Sequence, residues 1–166
     1  MTTAPLVIVA RLAVPADRKY ILASWAEAYK AAPKMRDMSW TLYKLHIVPT
    51  LQAVLDRPDT RLLVATTPSE PDIVGWLAYV RGKRVSTVHW VHTRYAVTKG
   101  GEKLRKRGVM SALIGAAELG PRWVYTHRGP YPRQREGKRE TADAGLVRSL
   151  AKRGITAAFV PWKEWV

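Results

Sequence analysis

Residues 85–127 restrict the fold more than any other part of the chain. Val85-Ser-Thr-Val-His-Trp-Val-His-Thr93 is rich in β-branched residues and reads as a strand. A basic, glycine-containing loop follows. Residues 103–119 then place Val109, Met110, Leu113, Ile114 and Ala117 on one helical face, and Gly120-Pro121 ends the helix. Arg122-Trp-Val-Tyr-Thr-His127 is again strand-like. Two strands joined through a helix run parallel in one sheet, which calls for a mixed α/β architecture.

The rest of the chain fits around that unit. Leu6 to Val14 predicts a first strand, and Pro15-Ala16-Asp17 opens a helix with Ile21, Leu22, Trp25, Ala28 and Tyr29 at helical spacing. Pro33 stops it, and a loop leads to Ser39 as the N-cap of a second helix. Leu42, Leu45, His46, Leu51, Val54 and Leu55 form the expected apolar stripe of that helix, with Pro49 expected to kink or divide it. Strands over 61–67, 73–81 and 85–95 are linked too tightly for crossovers, so they form an antiparallel meander. Residues 128–139 read as a Gly/Pro/Arg-rich loop. A last helix runs through Ala142, Leu146 and Leu150 to a C-cap at Gly154, and Ile155 to Trp162 closes as a strand. The expected order is β-α-α-β-β-β-α-β-α-β: an α/β (α+β) domain over residues 1–166, with about six mostly antiparallel strands and four helices.

With no cysteine, disulfides, thiolate nucleophiles and cysteine metal sites are excluded. The four histidines show no metal-binding spacing, so no metal is expected. The N-terminus does not read as a signal peptide, and no apolar run approaches the roughly 20 residues of a bilayer span, so a soluble cytoplasmic protein without membrane partners is expected. The net charge is +15, and residues 97–139 carry about half of the excess, with eleven basic residues against Glu102, Glu118 and Glu136. Such a field attracts polyanions, DNA and RNA among them.

The densest basic stretch surrounds the helix start, with Lys99, Gly100, Gly101, Lys103, Arg105, Lys106, Arg107 and Gly108. Free N–H groups at a helix N-terminus, glycines that permit close approach and flanking cations suit a phosphate-bearing cofactor. Arg105-Lys-Arg-Gly-Val-Met110 resembles the Gln/Arg-x-x-Gly-x-Gly/Ala acyl-coenzyme-A loop of the GNAT acetyltransferase superfamily, departing from it at the last position. The element order resembles that superfamily along the whole chain, and the flavour is that of GNAT-like phage proteins.

This resemblance implies an acyl-CoA-dependent N-acyltransferase with acetyl-CoA as cofactor. It implies pantetheine binding by the backbone of Val91, His92 and Thr93, or by a strand end at Val97. Pyrophosphate would bind Arg105, Lys106, Arg107, Gly108, Val109 and Met110. Amide formation needs a base to take the amine proton and often an acid for the thiolate. His92 is the base candidate, on the opposite face from His89 if the strand alternates regularly. The family's tyrosine acid aligns with Leu150, which leaves Tyr125, His127 and Tyr131 as substitutes. Arg128, Tyr131, Arg133 and Arg135 would overhang the acceptor, and the scarcity of acids between Val85 and Arg139 points to a neutral or anionic acceptor. A nucleic-acid-modifying protein and a non-catalytic virion protein on the same fold are the alternatives, and a homodimer is left open.

Overall fold

A computed structural model describes residues 7–68, 70–94, 108–126, 133–135, 138–140 and 151–159. A six-stranded sheet has the spatial order β1-β2-β3-β4-β5-β8, with β1 Val9–Leu12, β2 Arg61–Thr67, β3 Glu70–Val80, β4 Ser86–Thr93, β5 Arg122–Tyr125 and β8 Thr156–Phe159. The pairs from β1 to β4 are antiparallel, as the short links require, and β4–β5 and β5–β8 are parallel. A separate two-stranded ribbon pairs β6 Arg133–Arg135 with β7 Lys138–Glu140, where the sequence reading placed loop.

The sheet divides two cores. On one face, α4 (Val109–Ala117) lays Val109, Leu113 and Ala117 against Leu63, Leu77, Tyr79 and Val88. On the other, α1 (Arg18–Lys30) and α3 (Trp40–Asp56) enclose Trp25, Trp76 and Trp90. The ring centroids of Trp25 lie 5.7 Å from Trp76 and 6.2 Å from Trp90. Each buried indole brings a large apolar area and an edge or offset ring contact, so this cluster is a main source of cohesion on that face. Asp17 fixes the entry to α1, accepting hydrogen bonds from Val14 N–H at 2.8 Å and from the Arg11 guanidinium at 2.7 Å.

Two details differ from expectation. A short helix, α2 (Pro33–Arg36), occupies part of the predicted loop, and α3 runs as one helix through Pro49. The Ser39 cap forms, its hydroxyl accepting from Leu42 N–H. The buried residues of α3 are Tyr43, Leu51 and Leu55, with Ile47, Val48 and Val54 partly covered, whereas Leu42 and Leu45 are exposed. The buried stripe is therefore turned from the one expected. Tyr43 anchors it by donating its hydroxyl to the Ala26 carbonyl at 2.8 Å. No described helix is long and apolar enough to cross a membrane.

Candidate functional site

The site is organised by an irregularity in β4. Tyr79 pairs with Val88 and Ala78 with Trp90, so His89 is an extra residue with no partner position on β3. A bulge of this kind inverts the side-chain alternation that follows it. Val88 accordingly joins the α4-side core and Trp90, two residues on, the tryptophan core of the other face. The regular alternation used to set His89 and His92 on opposite faces therefore does not hold across this segment.

The same point ends the β4–β5 ladder. Ser86, Thr87 and Val88 pair with Trp123, Val124 and Tyr125, and Thr126 N–H donates to the Val88 carbonyl at 3.1 Å. Thr126, 1% exposed, also brings its hydroxyl 3.4 Å from His89 Nδ1. Beyond the bulge, β4 pairs with β3 alone among the described residues, which leaves the other edge of residues 91–93 without a described strand partner.

A glycine seats α4 against that freed segment. A Cβ on Gly75 would lie 2.6 Å from Val109 Cγ1 and 2.8 Å from the His92 carbonyl oxygen. Only glycine lets the first residue of α4 sit against β3 beside the His92 backbone. Gly108, the N-cap, has φ +84° and ψ 8°, and a Cβ there would meet nothing within 4 Å. The helix thus begins from a left-handed glycine with open space before it, and its first N–H groups have no partner within the helix.

The structure therefore brings together Val91, His92 and Thr93 with Gly108, Val109 and Met110. Arg105, Lys106, Arg107, His127, Arg128 and Tyr131 lie outside the described residues, as do Val97 and Leu150. Arg133 and Arg135 lie on β6, opposite Glu140 and Lys138. Tyr125 is buried in the α4-side core, 9% exposed. His92 stacks on Trp76, its partner across β3, with ring centroids 5.9 Å apart and planes at 23°. Burial lowers its pKa below the usual histidine value, which keeps the imidazole neutral and able to accept a proton near pH 7.

Several residues on that side went unnoticed in the sequence. Tyr20 on α1 has its phenol pKa raised by burial; Arg94 opposes the shift, while Asp72 and Glu27 add to it. Carboxylates from α1 and β3 thus reach the side that, within the 85–139 window, looked acid-poor. No sequence pattern joins positions 20, 27, 72 and 94; the sheet does.

His89 carries a stability prediction. It is 5% exposed, and burial, with Arg57 adding and Asp59 opposing, lowers its pKa to about 4. The unfolded chain takes up that proton near pH 6.5, so stability is full above that value and is lost as pH falls toward 4. The loss should approach about 3 kcal/mol. Urea melts from pH 7.5 to 4 should show it, and His89→Gln should flatten the decline; an equally steep decline in the variant would refute the assignment.

No protein-family model matches the chain, and no curated protein does. Solved structures do match. A possible acetyltransferase from Clostridium difficile 630 is 12% identical, with 90% of this chain and 91% of that one aligned at a TM-score of 0.51. Ribosomal-protein-alanine N-acetyltransferase from Brucella melitensis biovar Abortus 2308 is 14% identical, over 92% and 93%, at 0.50. A GCN5-related glucosamine N-acetyltransferase region of a fungal multi-domain beta-N-acetylglucosaminidase is 16% identical, over 92% of this chain and 17% of that protein, at 0.53. At these identities the likeness is one of fold. The chain has the fold of the GNAT acetyltransferases.

Proposed function

We propose that the protein is an acyl-CoA-dependent N-acyltransferase, with acetyl-CoA as the expected donor. The observation that carries this reading is the parting of β4 from β5 at the His89 bulge, with the glycine-started N-terminus of α4 seated beside the freed strand. The backbone of Val91, His92 and Thr93 offers an amide-bearing arm the hydrogen bonds of a missing strand. The N–H groups from Gly108 to Met110, with Arg105, Lys106 and Arg107, suit a pyrophosphate. The thioester supplies an activated acyl carbonyl and a thiolate leaving group. His92 takes the proton of the attacking amine, and Tyr125, His127 and Tyr131 are the candidates to return one to sulfur.

Gly108→Trp tests the cofactor site. A Cβ there meets nothing within 4 Å, so the expected cost to the fold is mainly the strain of a left-handed non-glycine residue, roughly 1–2 kcal/mol. The indole would project from the helix start and block the approach of phosphate. Isothermal titration should show acetyl-CoA binding to the wild type and none to a folded Gly108→Trp. A wild type that binds no acyl-CoA would end this reading.

The acceptor amine is proposed to be neutral or to belong to an anionic molecule. Arg94 offsets one of the two carboxylates Glu27 and Asp72, while the whole chain carries +15. A polycation therefore meets a repulsive field on approach. Neutral amines or nucleotides should be acetylated faster than spermidine or a lysine-rich peptide, and the opposite ranking would reverse the assignment. Nucleic acid as the acceptor would show a steep loss of affinity with salt.

A further inference from the structure

His92 is the candidate base, and a base must be held in one orientation to act. Among the described residues the imidazole makes no hydrogen bond, and its aromatic partner is Trp76. Trp76 is fully buried and is fixed at its far edge, where Nε1–H donates to Ser24 Oγ at 2.8 Å. Ser24 in turn donates to the Tyr20 carbonyl at 2.8 Å, one turn back along α1. Trp25 packs against the same indole with centroids 5.7 Å apart. The indole thus has one face and one edge held by α1, while the imidazole directly across the β3–β4 ladder lies against it.

We propose that Trp76 is the positioning residue for His92, its indole acting as a platform, anchored to α1 through Ser24, that fixes the imidazole on the α1 side of β4. The proposal rests on the reading of His92 as the base. A histidine held only by stacking keeps both ring nitrogens available, one to accept the amine proton and one for solvent or substrate. A hydrogen-bonding neighbour would have fixed the ring at the expense of one nitrogen. Among the described residues, the charged groups that act on Tyr20 of α1 on this side are Glu27 on α1, Asp72 on β3 and Arg94, just past the end of β4. Burial lowers the pKa of His92, and the stacked indole is part of the cover that excludes water from the ring.

The test follows the histidine ring directly. In nuclear magnetic resonance titrations of the wild type, the ring protons of His92 should be shifted upfield by the indole current, with a pKa below 6.5. Trp76→Phe keeps an aromatic face but loses the donor to Ser24, so it should retain a weaker upfield shift and a pKa still below 6.5. Trp76→Leu should lose the ring-current shift and raise the His92 pKa toward the ordinary histidine value, since the smaller side chain covers less of the ring. Its kcat should fall about 10-fold with KM for acetyl-CoA unchanged. A folded Trp76→Leu with the wild-type titration would overturn the proposal, as would a wild type lacking the upfield shift, which needs no variant to fold. If the wild type binds no acyl-CoA, the acyltransferase reading falls, and the titrations still decide whether Trp76 controls His92.

Discussion

Gly75→Val should be the most damaging single substitution in the sheet, lowering stability by about 3 kcal/mol and abolishing acetyl-CoA binding. The clash has two parts. A Cβ meets the Val109 side chain at 2.6 Å, which could be relieved by a rotamer change or a small shift of α4. It also meets the His92 carbonyl at 2.8 Å, and that atom is backbone in a paired strand. Relief must therefore come from moving β4 or lifting α4, and either separates the freed strand from the helix start. A thermal melt should fall by roughly 6–12 °C for a chain of this size. Gly75→Ala/Val109→Ala removes the side-chain part and leaves the backbone part, so it should recover only some of the loss. A Gly75→Val protein that melts within a degree of wild type would show that the two elements are not packed this closely. The comparison with Gly108 is informative, since a side chain there meets open space and strains the fold only through its positive φ.

The β2–β4 meander and the parallel step from β4 to β5 could be read from the chain because link length and chirality leave few choices, whereas the places of β1 beside β2 and β8 beside β5 were not read. Short turns after Thr67 and Val80 force antiparallel neighbours, and a helix between β4 and β5 forces a parallel pair. The helix after the basic loop was expected from residue 103, whereas α4 begins at Val109, behind a Gly108 whose positive φ favours glycine. The bulge could not be read. Val88, Trp90 and Val91 are all apolar, so a one-residue change of phase leaves no mark on the pattern when both faces of a strand are buried. The buried face of α3 was misread for a related reason. Apolar residues surround much of that helix, and Tyr43, absent from the expected stripe, is buried with its hydroxyl satisfied by the Ala26 carbonyl. The β6–β7 ribbon was hidden by residues with little strand propensity, although Glu136-Gly137 between them is a two-residue link. Within the proposed site, His92 could be put forward from its proximity to the loop in sequence. Trp76 could not, because its relation to His92 exists only in the register of β3 and β4.

His92→Gln should reduce kcat by about 10²- to 10⁴-fold while leaving acetyl-CoA affinity within a few-fold of wild type. The side chain supplies the proposed base, whereas the cofactor is expected to meet only the backbone at this position, and glutamine preserves that backbone. In the wild type, kcat/KM should rise with pH through a value below 6.5, because burial disfavours the charged imidazolium, and then level off. The same limb should be missing from the variant. Stability has the same sign of pH dependence but a different main source. Both histidines are neutral when folded and take up protons when unfolded, so acid destabilises the protein through each, and His89, with its pKa lowered to about 4, contributes the larger share. Removing His92 should therefore erase the acid limb of activity and leave most of the acid limb of stability, and removing His89 should do the reverse. If His92→Gln keeps both the wild-type rate and its pH profile, the base lies elsewhere, and the stacked imidazole contributes to packing rather than to proton transfer.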